Sequence, residues 1–91
     1  MVEKDIVITS ELGIHLRPAG AMSDEAMKYE SHITFEYGEY KRRANAKSII
    51  SVLASGVNSG EVIRLRAEGI DEEEAIENVA NAFVKSMNEN W

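Results

Sequence analysis

The six residues Val62-Ile63-Arg64-Leu65-Arg66-Ala67 place the strongest constraint on the fold. Their alternation puts Ile63, Leu65 and Ala67 on one side of an extended strand and Val62, Arg64 and Arg66 on the other. Ile33-Thr34-Phe35-Glu36-Tyr37 repeats the same period of two. Strands of this kind build a sheet with one apolar face, which must be covered, and one face left to water. Two segments have the three- and four-residue spacing of a helical cover. One carries Ala19, Met22, Ala26 and Tyr29; the other carries Ile76, Val79, Ala80, Phe83 and Met87.

The remaining elements follow in chain order. Residues 2–9, with β-branched Ile6-Val7-Ile8-Thr9, read as a first strand, and a helix is expected from about 16 to 29. Gly38-Glu39 turns the 33–37 strand into a basic partner over 40–44, whose lysine and arginines suit an exposed edge. Asn45 to Ser48 offers caps for a short helix over 49–54, closed by Gly56. Ile49, Ile50, Val52 and Leu53 cannot all face one core, because adjacent helical positions lie about 100° apart. Ile50 is the residue expected to stay exposed. Asp71 and Glu74 have capping-box-like spacing, and the acids of 71–74 complement the dipole of the last helix. The order β-α-β-β-α-β-α makes one α+β domain over residues 1–91: an open-faced two-layer sandwich, a four-stranded antiparallel sheet covered on one face by helices.

Charge and composition narrow the function. A formal net charge of −6 argues against nucleic acid or an anionic membrane as partner of the whole domain. The absence of cysteine excludes disulfides and thiolate metal sites and fits a reducing, cytoplasmic setting. The charged start Glu3-Lys4-Asp5 does not read as a signal peptide, and no run is long and apolar enough for membrane insertion. No cofactor or metal is expected.

The chemistry concentrates in Gly13-Ile14-His15-Leu16-Arg17-Pro18-Ala19, which sets one of two histidines beside an arginine and the single proline. Proline is at home in the first turn of a helix, so His15 is expected at a helix mouth, where amide groups and the dipole favour an anion, phosphate above all. A neutral imidazole is a competent nucleophile near neutral pH, and Arg17 supplies a permanent cation. His32 has no such surroundings and reads as structural. Ser48 reads first as an N-cap, a role worth about 1 kcal/mol. A phosphate placed there would meet a helix N-terminus and Lys47.

The His15 segment resembles the phosphorylation motif of HPr, the histidine-containing phosphocarrier of the bacterial phosphoenolpyruvate:sugar phosphotransferase system. Asn45-Ala46-Lys47-Ser48-Ile49-Ile50 is similar to the regulatory serine segment of that family, and Gly56-Val57, Gly60-Glu61 and Ala67-Glu68-Gly69 extend the likeness over nearly the whole chain. The resemblance implies three helices over the sheet, a phosphoryl group carried on Nδ1 of His15, phosphate contact by Arg17 and regulatory phosphorylation of Ser48. It also implies enzyme I as donor, sugar-specific enzyme IIA as acceptor, an HPr kinase/phosphorylase and a transcriptional regulator where those exist, and a monomer. Leu16, Gly20, Lys47, Ile49, Ile50 and Leu53 would then be partner-binding. Leu16 stands where the family usually has Ala; Asp24 and Glu25 acidify the docking helix; the hairpin before Asn45 is about two residues longer.

Three functions follow from this reading. The first is a phosphocarrier, which passes a phosphoryl group on without being an enzyme. The second is a diverged regulatory module whose Ser48 phosphorylation controls a transcriptional regulator in carbon catabolite repression. The third is a small hydrolase on a split βαβ scaffold, which a lone His-Arg site without an enclosing second half supports little.

Overall fold

The computed structural model describes residues 1–89; Trp91 lies outside them. Its elements are β1 (Val2–Val7), α1 (Leu16–Ala26), β2 (His32–Tyr37), β3 (Arg42–Asn45), α2 (Ile49–Ala54), β4 (Val62–Glu68) and α3 (Glu72–Met87). The strands form one sheet in the order β1-β4-β2-β3. Every neighbouring pair is antiparallel, with Ile63 opposite Ile6, Leu65 opposite Phe35 and Ala44 opposite Phe35 on the next strand. This is the open-faced sandwich expected from the alternation.

The covered face is closed by helix side chains. Ile33, Phe35, Ile63, Leu65 and Ala67 from the sheet are almost completely buried, together with Ala19, Met22, Ala26, Val52, Val79, Ala80 and Phe83 from the helices. Both predicted helical stripes therefore face the core, and Tyr29 and Ile76 pack at its margin. The uncovered face carries a cross-strand charge ladder instead. Arg64 on β4 pairs with Asp5 on β1 at 2.9 Å, and Arg66 pairs with Glu3 on one side and with Glu36 of β2, at 3.5 Å, on the other. Opposite charges across neighbouring strands keep this face wet and its register fixed.

Several boundaries differ from expectation. β1 ends at Val7, because Ile8 leaves the ladder and exchanges its backbone bonds with the loop before β4, donating to Glu61 O and accepting from Gly60 N at 2.8 Å each. Helix α1 ends at Ala26 and not at 29. Its last turn tightens into three-residue bonds, Lys28 N–H to Glu25 O and Tyr29 N–H to Ala26 O. The hairpin turn takes in Gly38 to Lys41, so Tyr40 belongs to the turn, 84% exposed, and β3 begins at Arg42. Gly38 (φ 77°) and Lys41 (φ 52°) are both left-handed there; a non-glycine residue in that region is uncommon.

The largest correction concerns Asp71. It stands at the N-cap of α3 but makes no side-chain bond to its own helix. Its carboxylate accepts from the backbone N–H of Glu30 (2.9 Å) and of Ser31 (3.0 Å), and from the Ser31 hydroxyl. It thus ties the start of α3 to the entry of β2, 40 residues earlier. Glu72 accepts from Gly69 N–H, ahead of the helix, at 3.1 Å and pairs with the amino group of Met1 at 3.0 Å, while Glu72, Glu73 and Glu74 complement the dipole.

Hydrogen bonding to the Ser31 hydroxyl first, and then to backbone N–H groups, holds the Asp71 carboxyl below its ordinary value. A carboxylate depressed in the folded state stabilises it above the unfolded-state value, and that contribution disappears as pH falls through the folded one. The acid limb of stability should therefore be shallower in Asp71→Asn than in the parent chain, with the two curves converging below the carboxylate range. Thermal unfolding followed from pH 7 to pH 2.5 measures this directly; parallel curves would refute the clamp.

Candidate functional site

His15 is positioned by backbone before any side chain is involved. The loop leaving β1 turns back through Gly13 N–H to Ser10 O (2.9 Å) and is pinned by Ile14 N–H to Val57 O (3.0 Å), in the segment that follows α2. Gly13 has φ 70°, and a Cβ on it would lie 2.4 Å from the Val57 carbonyl oxygen. Only glycine satisfies both the left-handed backbone and that approach. Ile14 is buried beyond it, which turns the next residue outward.

His15 is the N-cap of α1, in extended conformation, and its imidazole makes no capping bond. Its carbonyl accepts the first bond of the ladder, from Ala19 N–H at 3.0 Å. Pro18, third in the helix and fully buried, contributes packing but no N–H. The amides of the mouth are therefore those of Leu16 and Arg17, at the positive end of an eleven-residue helix. The Arg17 side chain is exposed beside them. The imidazole is half-buried, its ring not committed to the helix cap. Such a mouth suits an anion held against a nucleophilic nitrogen, in the open and not inside a cavity.

Two depressions meet at His15. On one side lies a largely apolar groove lined by Leu16, Arg17, Gly20, Ala21, Asp24 and Ile49, the last from α2. On the other lies a polar hollow between Thr9–Leu12 and the C-terminal turn of α3, Ser86 to Glu89, where the Thr9 hydroxyl bonds Asn88 Oδ1 at 3.2 Å. The α3 end had no signal in the sequence, because nothing local connects it to residue 15. Among the described residues no cluster of His, Cys, Asp or Glu could hold a metal ion.

Ser48 caps α2 as expected, its hydroxyl oxygen accepting from Ser51 N–H at 3.2 Å. The following residue, Ile49, reaches the His15 groove, so the two helix starts share one face. Leu16 lines that groove and is 66% exposed, and Ile50 (76%) and Leu53 of α2 are exposed as well. Exposed Leu12 (77%) lies on the other side of His15, at the polar hollow, and was not singled out in the sequence. Lys47 is different. Its ammonium donates to the Tyr29 carbonyl at 2.6 Å, while its own carbonyl accepts from the Ser23 hydroxyl at 3.0 Å. It binds the frayed end of α1 and fastens α2 to it. Gly20 also differs from expectation: its helical backbone is ordinary and a Cβ would meet only Ile49 Cδ1, at 3.7 Å. It keeps the groove floor open, and neither close packing nor a loosened turn requires it.

The two glycines should respond oppositely to the same substitution. Gly13→Ala is expected to cost well over 1 kcal/mol, since φ is positive and the Val57 carbonyl blocks the methyl group. Gly20→Ala should stabilise by roughly 1 kcal/mol through helix propensity. Urea denaturation of both variants measures the signs; matching signs would overturn the account of the His15 loop.

Comparison with known proteins fits this geometry. A family model described as the PTS HPr component phosphorylation site matches residues 2–85. The phosphocarrier protein HPr of Mycoplasma capricolum is 33% identical over 84 residues, 92% of each chain. HPr of Thermoanaerobacter tengcongensis superimposes with a TM-score of 0.86 at 36% identity over the full length of both chains. Crh, a Bacillus subtilis catabolite repression protein crystallised as a domain-swapped dimer, gives a TM-score of 0.71 at 30% identity, covering 94% of this chain and 97% of its own. With the sandwich, the helix-mouth histidine and these similarities together, the chain belongs to the HPr family of phosphocarrier proteins of the phosphotransferase system.

Proposed function

We propose that this chain accepts a phosphoryl group on Nδ1 of His15 from phosphorylated enzyme I, itself charged by phosphoenolpyruvate, and passes it to sugar-specific enzyme IIA. The observation that carries the reading is the uncapped imidazole at the mouth of α1, with Arg17 beside it and an apolar rim around it. In each transfer the incoming imidazole nitrogen forms a bond to phosphorus as the bond to the donor nitrogen breaks. The donor group leaves without its phosphoryl and the protein gains a phosphoramidate. Little covalent work is asked of the carrier; positioning and charge stabilisation suffice. The α1 dipole, the Leu16 and Arg17 amides and the guanidinium face the phosphoryl oxygens. Docking of the rim formed by Leu12, Leu16, Ile49 and Ile50 keeps water from the labile phosphorus–nitrogen bond during transfer. The carrier works as a cytoplasmic monomer, without cofactor, and is not itself an enzyme.

Ser48 is the site of regulatory phosphorylation in this reading, by an HPr kinase/phosphorylase. A dianion there stands beside Ile49 and Ile50, so it acts on docking, at a helix N-terminus next to Lys47. The likeness to Crh favours a second reading, in which phosphorylated Ser48 recruits a transcriptional regulator of carbon catabolite repression.

Incubation with phosphoenolpyruvate and enzyme I should give an acid-labile adduct of one phosphoryl group, absent from His15→Ala. Arg17→Ala should transfer at least tenfold more slowly. Ser48→Ala should lose about 1 kcal/mol of stability with the cap, yet accept the group at close to the parental rate. An adduct that survives His15→Ala removes the carrier reading. Identical partner sets for the unmodified and Ser48-phosphorylated chains in affinity capture remove the second.

A further inference from the structure

The wet face of the sheet carries one complete row of alternating charge. Asp5 stands opposite Arg64, Arg64 opposite Glu36, and Glu36 opposite Arg43, so the row crosses the four strands in the order β1-β4-β2-β3. Residues directly opposite on neighbouring strands share a face, and the adjoining Ile6, Ile63, Phe35 and Ala44 are buried on the other one. The row therefore reads minus, plus, minus, plus from edge to edge, about 14 Å across. Arg64 holds Asp5 at 2.9 Å, yet the two side chains stay 46% and 57% exposed. Arg43 is exposed and makes no salt bridge among the described residues. Glu3, Arg66, Thr34 and Asn45 form the next row on one side, and half-exposed Val7 and Val62 stand on the other.

From this pattern we infer that the open face seats a second copy of the chain, face to face, about a two-fold axis parallel to the strands and between β4 and β2. That rotation reverses the order of the strands and keeps each row at its own height. Asp5 then meets Arg43 of the other copy and Arg64 meets its Glu36, each contact occurring twice. Opposite charge faces opposite charge at every position of the row; an odd number of alternating charges would set like on like. In the next row Glu3 meets Asn45 and Arg66 meets Thr34, so no like charges face each other there. The chain itself supplies no layer for this face. Two sheets so placed lie about 10 Å apart, a gap that arginine and glutamate side chains fill. The footprint is a few hundred Å² on each copy, below the roughly 800 Å² of a stable complex, and desolvation of the row offsets much of the attraction. The pair is thus weak, reversible and sensitive to salt. Both His15 mouths stay on the outer helix layers, so the single chain remains the unit of transfer, and the inference does not depend on the carrier reading.

The test uses the full chain, labelled with 15N, diluted from about 2 mM in about 20 mM or about 500 mM sodium chloride. At low salt, sedimentation equilibrium should give a mass that climbs with concentration towards twice that of the chain. Dilution should shift the amides of Asp5, Glu36, Arg43 and Arg64 and leave those of Leu16 and Ile49 in place. High salt should weaken the association at least fivefold. Asp5→Lys and Arg43→Glu each set like charge on like in their own pair, so each variant alone should stay monomeric. Mixed one to one they should associate, because residue 5 of either variant then meets an opposite charge at residue 43 of the other. Circular dichroism checks that both variants keep the fold. A constant monomer mass, association unchanged in the single variants, or variants that stay apart when mixed overturns the inference. Association whose dilution shifts leave Glu36 and Arg43 still, as strand exchange at the β1 edge does, overturns it as well.

Discussion

Burial of one face of a four-stranded sheet is the interaction on which everything else in this molecule depends. Phe35, Ile63 and Leu65 lie at its centre with no exposure, and the helices are held where they are because these side chains must be covered. The sheet has only one such face. Its other side is laced by Arg64 and Arg66 with acids of β1 and β2, so no second layer is needed and none forms. A one-layer cover leaves the outer surfaces of α1 and α2 convex and accessible. That surface, and not a cleft, is where the chemistry sits.

The same architecture suits a carrier: His15 stands on a ridge between a groove and a hollow, open to a docking molecule. A group bound on that ridge is protected only while another molecule covers it. Precision comes from the backbone: Gly13 against the Val57 carbonyl, Ile14 N–H on the same oxygen, and the His15 carbonyl at the head of α1. The α2 segment is tied to α1 by Ser23 and Lys47, so the start of α2 and the groove behave as one unit. The serine cap at position 48 belongs to the surface that presents the histidine.

Sequence reading and structure diverge where a group finds another hydrogen-bond partner, local at the ends of α1 and of the hairpin, long-range at Ile8, Lys47 and Asp71. The boundary errors at Val7, Ala26 and Tyr40 arose where local pattern continued but the backbone found other partners. Ile8 bonds the loop before β4, and the last turn of α1 tightens into three-residue bonds while Lys47 takes the Tyr29 carbonyl. Asp71 had every local mark of a cap, yet its carboxylate found better donors at Glu30 and Ser31. Lys47 had the marks of a surface cation. For Lys47 and Asp71 the partner lies 18 and 41 residues away in the chain.

The amino-acid sequence by itself determined the sheet, its single apolar face and the two helical stripes that cover it, because periods of 2 and 3.6 are properties of local backbone geometry. It also determined the helix-mouth histidine, since Pro18 fixes its own φ and Gly13 permits the left-handed turn that other residues resist. Exposure of Ile50 followed from helix geometry alone. Only the tertiary structure decided what surrounds that histidine: the α3 end on one flank, Ile49 on the other, and a Lys47 ammonium bonded to the Tyr29 carbonyl at the far end of α1. Those facts depend on which donors and acceptors meet when the elements pack, and no period in the chain encodes a meeting between distant residues.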